Sequence, residues 1–438
     1  MGILDLTQSW AGITALVVFI LAYSLVISEE FTHLRKSKVV MLSAGVIWAL
    51  IGIQYSLAGQ SAGVDAAIRE YLVEFAELFL FLLVAMTYVN SMNERRVFEA
   101  LRAWLIGRAF SLRTMFWVTG IISFFLSALI DNLTTALVMS GVILAVGKGN
   151  KRFISLSCIN IVVAANAGGA FSPFGDITTL MVWQDGQVRF GQFFALLLPS
   201  IVNYLVPAIF MSLTIKNGQL ATDVEAVSMR LGAKRIMALF IFTIALAVSF
   251  HRFLHMPPFL GMVTGLACLQ IFGFHLRRKE EVFIRHHAKH MTGDVMPYDS
   301  FREVARAEWD TLLFFFGVIM SVGGLTFIGY LGQVSRYFYI ELGPTVANVL
   351  VGLASAIVDN IPVMVAVLHM SPEMDIRQWL LVTLTAGTGG SLLSIGSAAG
   401  VAMMGQARGA YSFFSHMKWT PVIALGYGLS IWVHLWIN

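Results

Sequence analysis

Charged side chains are scarce in this chain. Asp, Glu, Lys and Arg make up 12% of its 438 residues, about half the share of an ordinary soluble domain, so a solvated globular fold of this length is excluded. Cysteine is rarer: Cys158 and Cys268 both sit in apolar segments, and neither a disulfide nor a metal role is assigned to them. No GxxxxGK[ST] loop occurs, which removes a built-in ATPase. Segment 11–28 follows no basic stretch and carries no small-residue cleavage site, so it reads as a retained span and not as a signal peptide. The polar/apolar alternation of a transmembrane barrel is also missing.

What is present is apolar sequence in long runs. Hydrophobic residues make up 58% of the chain, the mean hydropathy is +0.78, and a hydrocarbon core of about 30 Å asks for helical runs of this length. The chain reads as an all-α polytopic membrane protein of about ten transmembrane segments. Eight plain spans are expected near 11–28, 39–57, 72–89, 190–215, 236–254, 259–275, 311–329 and 419–437. With the side holding "THLRKSK" taken as the inside, 24 of the 29 Lys and Arg residues fall inside and five outside. That bias points to a bacterial inner membrane with both termini periplasmic.

Two stretches do not fit plain spans. Between Arg113 and Lys148, both inside, lie 34 residues whose one charge is Asp131. A single helix of that length would reach about 50 Å and end on the wrong side. A re-entrant hairpin (114–147) breaking at Asp131-Asn132 satisfies the constraint, since irregular backbone at membrane depth survives where protein or a water-filled cavity surrounds it. "SALIDNLTTALVM" (127–139) then returns as "SAIVDNIPVMVAV" (355–367), the centre of a second hairpin (345–370) expected to enter from the outside.

Each hairpin precedes a glycine-broken helix, 153–183 with "AANAGGAFSPFGDITTLMV" and 379–404 with "TAGTGGSLLSIGSAAGVAM". Gly168-Gly169 aligns with Gly389-Gly390, and Gly175 with Gly396. Identities are few, but the order of elements occurs twice with opposite orientation. The expected organisation is therefore two inverted repeats, 1–218 and 236–438, joined by a cytoplasmic linker at 219–235, the plan of secondary transporters with broken helices at the midplane. Amphipathic linkers at 93–110 and 331–343 are expected in the interface plane.

The side chains at these breaks are hard oxygen donors: Asp131, Asp176 and Asp359, with Asn, Ser and Thr around them. Such donors suit a small hard cation. No Lys, Arg or His falls within either hairpin core or broken-helix core, so an anion would meet carboxylates without a compensating charge. A carboxylate inside the membrane is costly when ionised, and it holds a proton until a metal ion replaces it. That competition suffices for exchange. No resident cofactor and no nucleic-acid partner are expected, and membrane lipid is the surrounding solvent.

Plainer roles stand beside these. Asp131 and Asp359 are good helix N-caps, Asp176 suits a turn, and the glycine runs suit close helix packing. "RHHAKH" (285–290) places His286 and His290 on one helix face, although such runs are more often solvated loops. Glu74 and Glu77 precede an apolar span and are read as its interfacial start, with an outer vestibule as the alternative.

At "SALIDNLTTALVM", "NAGGAFSPFGDITTLMVW", "SAIVDNIPVMVAV" and "GTGGSLLSIGSAAG" the chain resembles the NhaD-type sodium/proton antiporters, within the superfamily that includes arsenite and dicarboxylate carriers. The likeness spans essentially the whole chain. It implies a scaffold with a mobile transport subdomain, elevator-like alternating access, a homodimer, and exchange of Na+, with Li+ as a second candidate, for H+. By that likeness Asp131, Asn132, Asn166, Asp176, Thr178, Thr179, Ser355, Asn360, Ser394 and Ser397 occupy the family's functional positions. With Thr134, Thr135, Ser172 and Asp359 from the same stretches they make up the expected ion- and proton-binding set, in which Asp131 and Asp359 anchor Na+ and the proton and Asp176 is a third candidate. Asp at both tips points away from the dicarboxylate branch. The halves also differ: Asp176 aligns with Ser397 and Thr134 with Pro362. The competing reading is a carrier of another solute in the same fold, arsenite or a Na+-coupled carboxylate.

Overall fold

The protein was analysed as a computed structural model that describes residues 5–32, 34–59, 62–108, 110–147, 149–215, 218, 227–287 and 297–438. Its described elements are helical. Helix α1 (Trp10–Ile27) starts where Ser9 accepts from the Gly12 N–H. A single turn, α2 (Glu29–Thr32), precedes α3 (Lys36–Leu57) and the 33-residue α4 (Ala62–Glu94). Helix α5 (Val97–Gly107) follows, within the stretch expected to be amphipathic.

Two short apolar helices come next, α6 (Leu112–Ser127) and α7 (Asn132–Val146), parted by a four-residue break. Helix α8 (Lys151–Gly169) ends at the glycine pair, and α9 (Ile177–Gln184) resumes seven residues later. Helix α10 (Leu197–Leu213) completes this stretch. After α11 (Ala233–Leu254), α12 (Pro258–His287), α13 (Ser300–Ala305) and α14 (Trp309–Ile328), a short α15 (Tyr330–Ser335) leads into a π-helical turn. The pattern then recurs: α16 (Pro344–Ala354) and α17 (Asn360–Met370) flank a break, and α18 (Ile376–Gly389) and α19 (Ala398–Gln406) flank another. The last two helices are α20 (Phe413–Met417) and α21 (Thr420–Ile437).

Nine helices among the described residues are long and apolar enough to cross a membrane. Eight coincide with the plain spans read from the sequence, and the ninth is α8. Span 72–89 lies inside the much longer α4, which corrects the placing of Glu74 and Glu77: they stand one turn apart well within a helix and not at its start. The apolar run had hidden ten further helical residues on its polar side. In the "RHHAKH" stretch, residues 288–290, His290 among them, lie outside the described residues, and so do the side chains before them.

The chain divides into two compact units. One comprises Leu72–Trp104 and Glu225–Leu312. In it α11 and α12 pack along each other, with Gly261 against the backbone of Ala247 and Gly265 against Thr243. Tyr88 of α4 donates to the Gly265 carbonyl at 2.8 Å and accepts from Thr243 at 2.8 Å. At the end of α4, Arg95 is buried at 1% exposure between Glu94 and Glu280, its guanidinium 5.0 Å from the Tyr298 ring centroid.

The other unit comprises Met1–Tyr71, Leu105–Val224 and Leu313–Asn438, and so draws on both sequence halves. Its centre is α8 and α18, every residue from Ser157 to Gly169 and from Trp379 to Gly389 being buried. The two carry the same set of contacts. Ser127, ending α6, donates to the Ala165 carbonyl at 2.7 Å; Ser355, after α16, donates to the Ala386 carbonyl at 2.7 Å. A Cβ at Gly168 would overlap the Phe124 carbonyl, and one at Gly389 the Gly352 carbonyl. Gly175 lies against Gly169 and the Ser127 carbonyl, and Gly396 against the Ser355 and Ala356 carbonyls. Only glycine allows backbones to approach this closely.

Candidate functional site

Each break ends at the N-terminus of a half-helix, where N–H groups lack intrahelical partners and the dipole end is positive. Four such ends meet in one hydrogen-bonded network. Asp176 caps α9, its Oδ1 accepting from the Thr178 N–H at 3.0 Å and the Thr178 hydroxyl at 3.1 Å. Its Oδ2 accepts from Asn132 Nδ2 of α7 at 3.0 Å and from Asn360 Nδ2 of α17 at 2.9 Å. Asn132 Nδ2 also lies 3.0 Å from Asn166 Oδ1, and Asn166 Nδ2 donates to Ser397 Oγ at 3.1 Å. Ser397 in turn caps α19 through the Gly400 N–H at 3.2 Å.

Asp176 is therefore the hub. It is 5% exposed, and the four hydrogen bonds it accepts all come from neutral groups. Asn166 and Thr178 are fully buried. The network joins residues 231 positions apart, which no local pattern reveals.

The remaining candidates bond elsewhere. Asp131 caps α7, accepting from the Thr134 N–H at 2.7 Å and the Thr134 hydroxyl at 2.8 Å. Thr135 donates to the Ile130 carbonyl, and Thr179 to the carbonyls of Ser172 and Asp176. Ser172 accepts from the Phe174 N–H, Ser355 is the tie to α18 already described, and Ser394 donates to Met404 Sδ at 3.3 Å. These hydroxyls hold the breaks in shape.

Asp359 behaves differently from Asp131. It occupies the N-cap position of α17 without a capping hydrogen bond. The residue matching Thr134 is Pro362, which has neither an N–H nor a hydroxyl to donate. Asp359 Oδ2 instead pairs with Lys36 Nζ at 2.7 Å, the side chains 13% and 21% exposed. The ammonium also lies 4.2 Å from the Phe314 ring centroid. This corrects the reading that no cation compensates the tip carboxylates: the hairpin and broken-helix cores hold none, but α3 delivers one. Sequence reasoning used Lys36 only as a topology marker, and its place at the threshold of a span was the available signal.

Among the described residues no group of three His, Cys, Asp or Glu side chains gathers as a metal centre would. At Asp176 the donors are one carboxylate and neutral oxygens, a set suited to a weakly held alkali cation and not to a resident transition metal.

Among the described residues, long apolar helices, interrupted helices and a buried polar hub form an arrangement that membrane carriers use. The citrate transporter family (CitMHS) model matches residues 10–387. The chain is 57% identical to the Na(+)/H(+) antiporter NhaD of Vibrio cholerae over 99% of this chain and 94% of that one. It is 56% identical to the NhaD of Alkalimonas amylolytica over 99% and 92%. Sodium/proton antiporter 1 of Arabidopsis thaliana is 30% identical across the whole chain and 75% of its own length. The chain belongs to the NhaD family of sodium/proton antiporters, within the broader citrate transporter family.

Proposed function

We propose that this protein exchanges Na+, and Li+ as a second substrate, for H+ across a bacterial inner membrane, with both termini periplasmic. The observation that carries the reading is Asp176: a buried carboxylate at the junction of four half-helix N-termini, hydrogen-bonded only by neutral groups. Those helix ends would suit an anionic solute, but the chain supplies the negative charge itself. A site already filled by its own carboxylate takes a cation or a proton.

The amides suit both states. Without a cation, Asn132 and Asn360 donate N–H groups to Asp176. Turned over about the Cγ bond, the same side chains offer Oδ1, and Na+ would then meet Asp176 and neutral oxygens. A proton on Asp176 removes the charge that holds Na+, so the two substrates exclude each other.

Two inverted repeats support alternating access. The matching serine ties, glycine contacts and hairpin-like pairs on α8 and α18 favour them, and so does the basic-residue asymmetry of the sequence. The pairs α6–α7 and α16–α17 are then re-entrant hairpins. An elevator-like movement, a homodimer and a role in pH homeostasis complete the proposal. Close relatives bearing the NhaD name favour the cation reading over the carboxylate carrier that the broader family name suggests.

The test is proton flux in everted vesicles with an imposed pH gradient and a fluorescent pH dye. NaCl and LiCl are expected to dequench the dye. Silence with NaCl, LiCl and KCl, together with citrate-dependent uptake, would replace this reading with the carboxylate carrier.

A further inference from the structure

An exchanger must satisfy a condition that a bound-ion site alone does not meet. The carrier has to cross when loaded with either substrate and must not cross empty, or the gradients leak. Resting on the antiport reading above, the geometry around Asp359 supplies a device for this. We propose that Lys36 latches the unloaded carrier through Asp359, and that either a cation or a proton on Asp359 releases the latch.

The argument begins with the difference between the tips. Asp131 spends both carboxylate oxygens on Thr134 of its own helix. Pro362 denies Asp359 that cap, so its carboxylate is left for a partner outside the hairpin. One oxygen takes Lys36 at 2.7 Å; the other, Oδ1, is buried with no hydrogen-bond partner. A half-satisfied carboxylate in a mostly buried setting depends heavily on its one counter-charge. Lys36 is held for the task, being the first residue of α3 and lying against the Phe314 ring.

Position gives the pair its meaning. In the proposed topology α3 begins on the inside, whereas the hairpin carrying Asp359 enters from the outside. Their pairing ties a hairpin tip to the inner end of another span, so outward travel of the tip has to break it. An ionised, empty Asp359 resists that separation because its mostly buried carboxylate, with Oδ1 already unsatisfied, would lose the ammonium. A proton neutralises the carboxylate and a bound cation replaces the ammonium, and in both cases Lys36 is no longer needed. Asn360, the residue after Asp359, donates to Asp176 at 2.9 Å, so loading of the hub reaches the tip that carries the latch.

The experiment uses the full chain in proteoliposomes, following radiolabelled Na+ and internal pH together in the wild type, Lys36→Gln and Lys36→Arg. The expected result for Lys36→Gln is preserved Na+/Na+ exchange with lost coupling. Na+ should then run down its gradient about tenfold or more faster than in the wild type when no protons are supplied. Lys36→Arg, which keeps the charge, should remain coupled. Wild-type coupling in Lys36→Gln would overturn the proposal, and so would uncoupling in Lys36→Arg. Loss of exchange in a well-folded Lys36→Gln protein would also overturn it, because a loaded carrier does not use the latch. A wild type without Na+-driven proton flux would instead refute the antiport reading itself.

Discussion

One substitution, Gly to Ala, is expected to act with opposite sign at different places in this protein. At Gly168, a Cβ built on the backbone lies 2.7 Å from the Phe124 carbonyl carbon and 2.8 Å from its Cα. At Gly389 the corresponding distances to Gly352 are 2.8 and 3.2 Å. Ordinary contact begins near 3.4 Å, so α8 must part from α6, or α18 from α16, by about 0.6 Å or more in a close-packed interior. Neither obstacle is a side chain that can turn aside. Overpacking of this kind costs about 1–3 kcal/mol, and Gly168→Ala and Gly389→Ala should lose similar amounts if the two halves are equivalent. Gly45 and Gly52 in α3 have nothing within 4 Å of the added Cβ, and there alanine should gain about 0.5–1 kcal/mol of helix propensity. Thermal unfolding of the purified proteins, followed by tryptophan fluorescence, reads all four. If Gly168→Ala melts at or above the wild type, the close contact between the backbones of α8 and α6 does not exist. A large difference between Gly168→Ala and Gly389→Ala would count against equivalent halves.

Two further outcomes concern stability. His416, in the short α20 outside the spanning helices, is buried; burial pulls its imidazole down to about 4, against the opposing hydrogen bond to the Ser391 carbonyl. The native state therefore binds fewer protons than the unfolded chain between about pH 4 and 6.5. Its stabilisation is complete above that window and falls by up to about 3 kcal/mol as pH drops through it. Replacing it in His416→Gln should flatten the pH dependence of the melting temperature across this range, and an unchanged slope would refute the assignment. Arg95→Ala removes the cation shared by Glu94 and Glu280. Glu94 keeps Arg230 at 3.1 Å and Glu280 keeps the Tyr298 N–H at 2.8 Å, so the cost should fall at the low end for a broken buried pair, about 3 kcal/mol. A melting temperature equal to the wild type would show that the clamp contributes nothing.

The features legible in the sequence were those with local signatures. Apolar runs marked the long helices, the "DN" pairs marked breaks after α6 and α16, and the glycine pairs marked the ends of α8 and α18. The end of α4 nearest Glu74 was misplaced because its first turns are polar and hydropathy is blind to them. What each carboxylate does was not legible. Asp131, Asp176 and Asp359 look alike in sequence, yet one caps its own helix, one gathers two asparagines from other helices, and one meets a lysine 323 residues away. The contrast between Thr134 and Pro362 was visible, but its consequence depended on Lys36. Long-range partners leave no periodic trace, so the hub and the latch emerge only when the breaks are brought together.

The central claim is that Asp176 carries the exchanged ions, and proton flux in everted vesicles tests it most directly. With an imposed pH gradient, NaCl should dequench the dye for the wild type and fail to do so for Asp176→Asn at equal expression. Asp131→Asn, which alters a local cap, should keep part of the activity. Wild-type Na+-driven flux in Asp176→Asn would contradict the account and move the ion site away from the junction of the four helix ends.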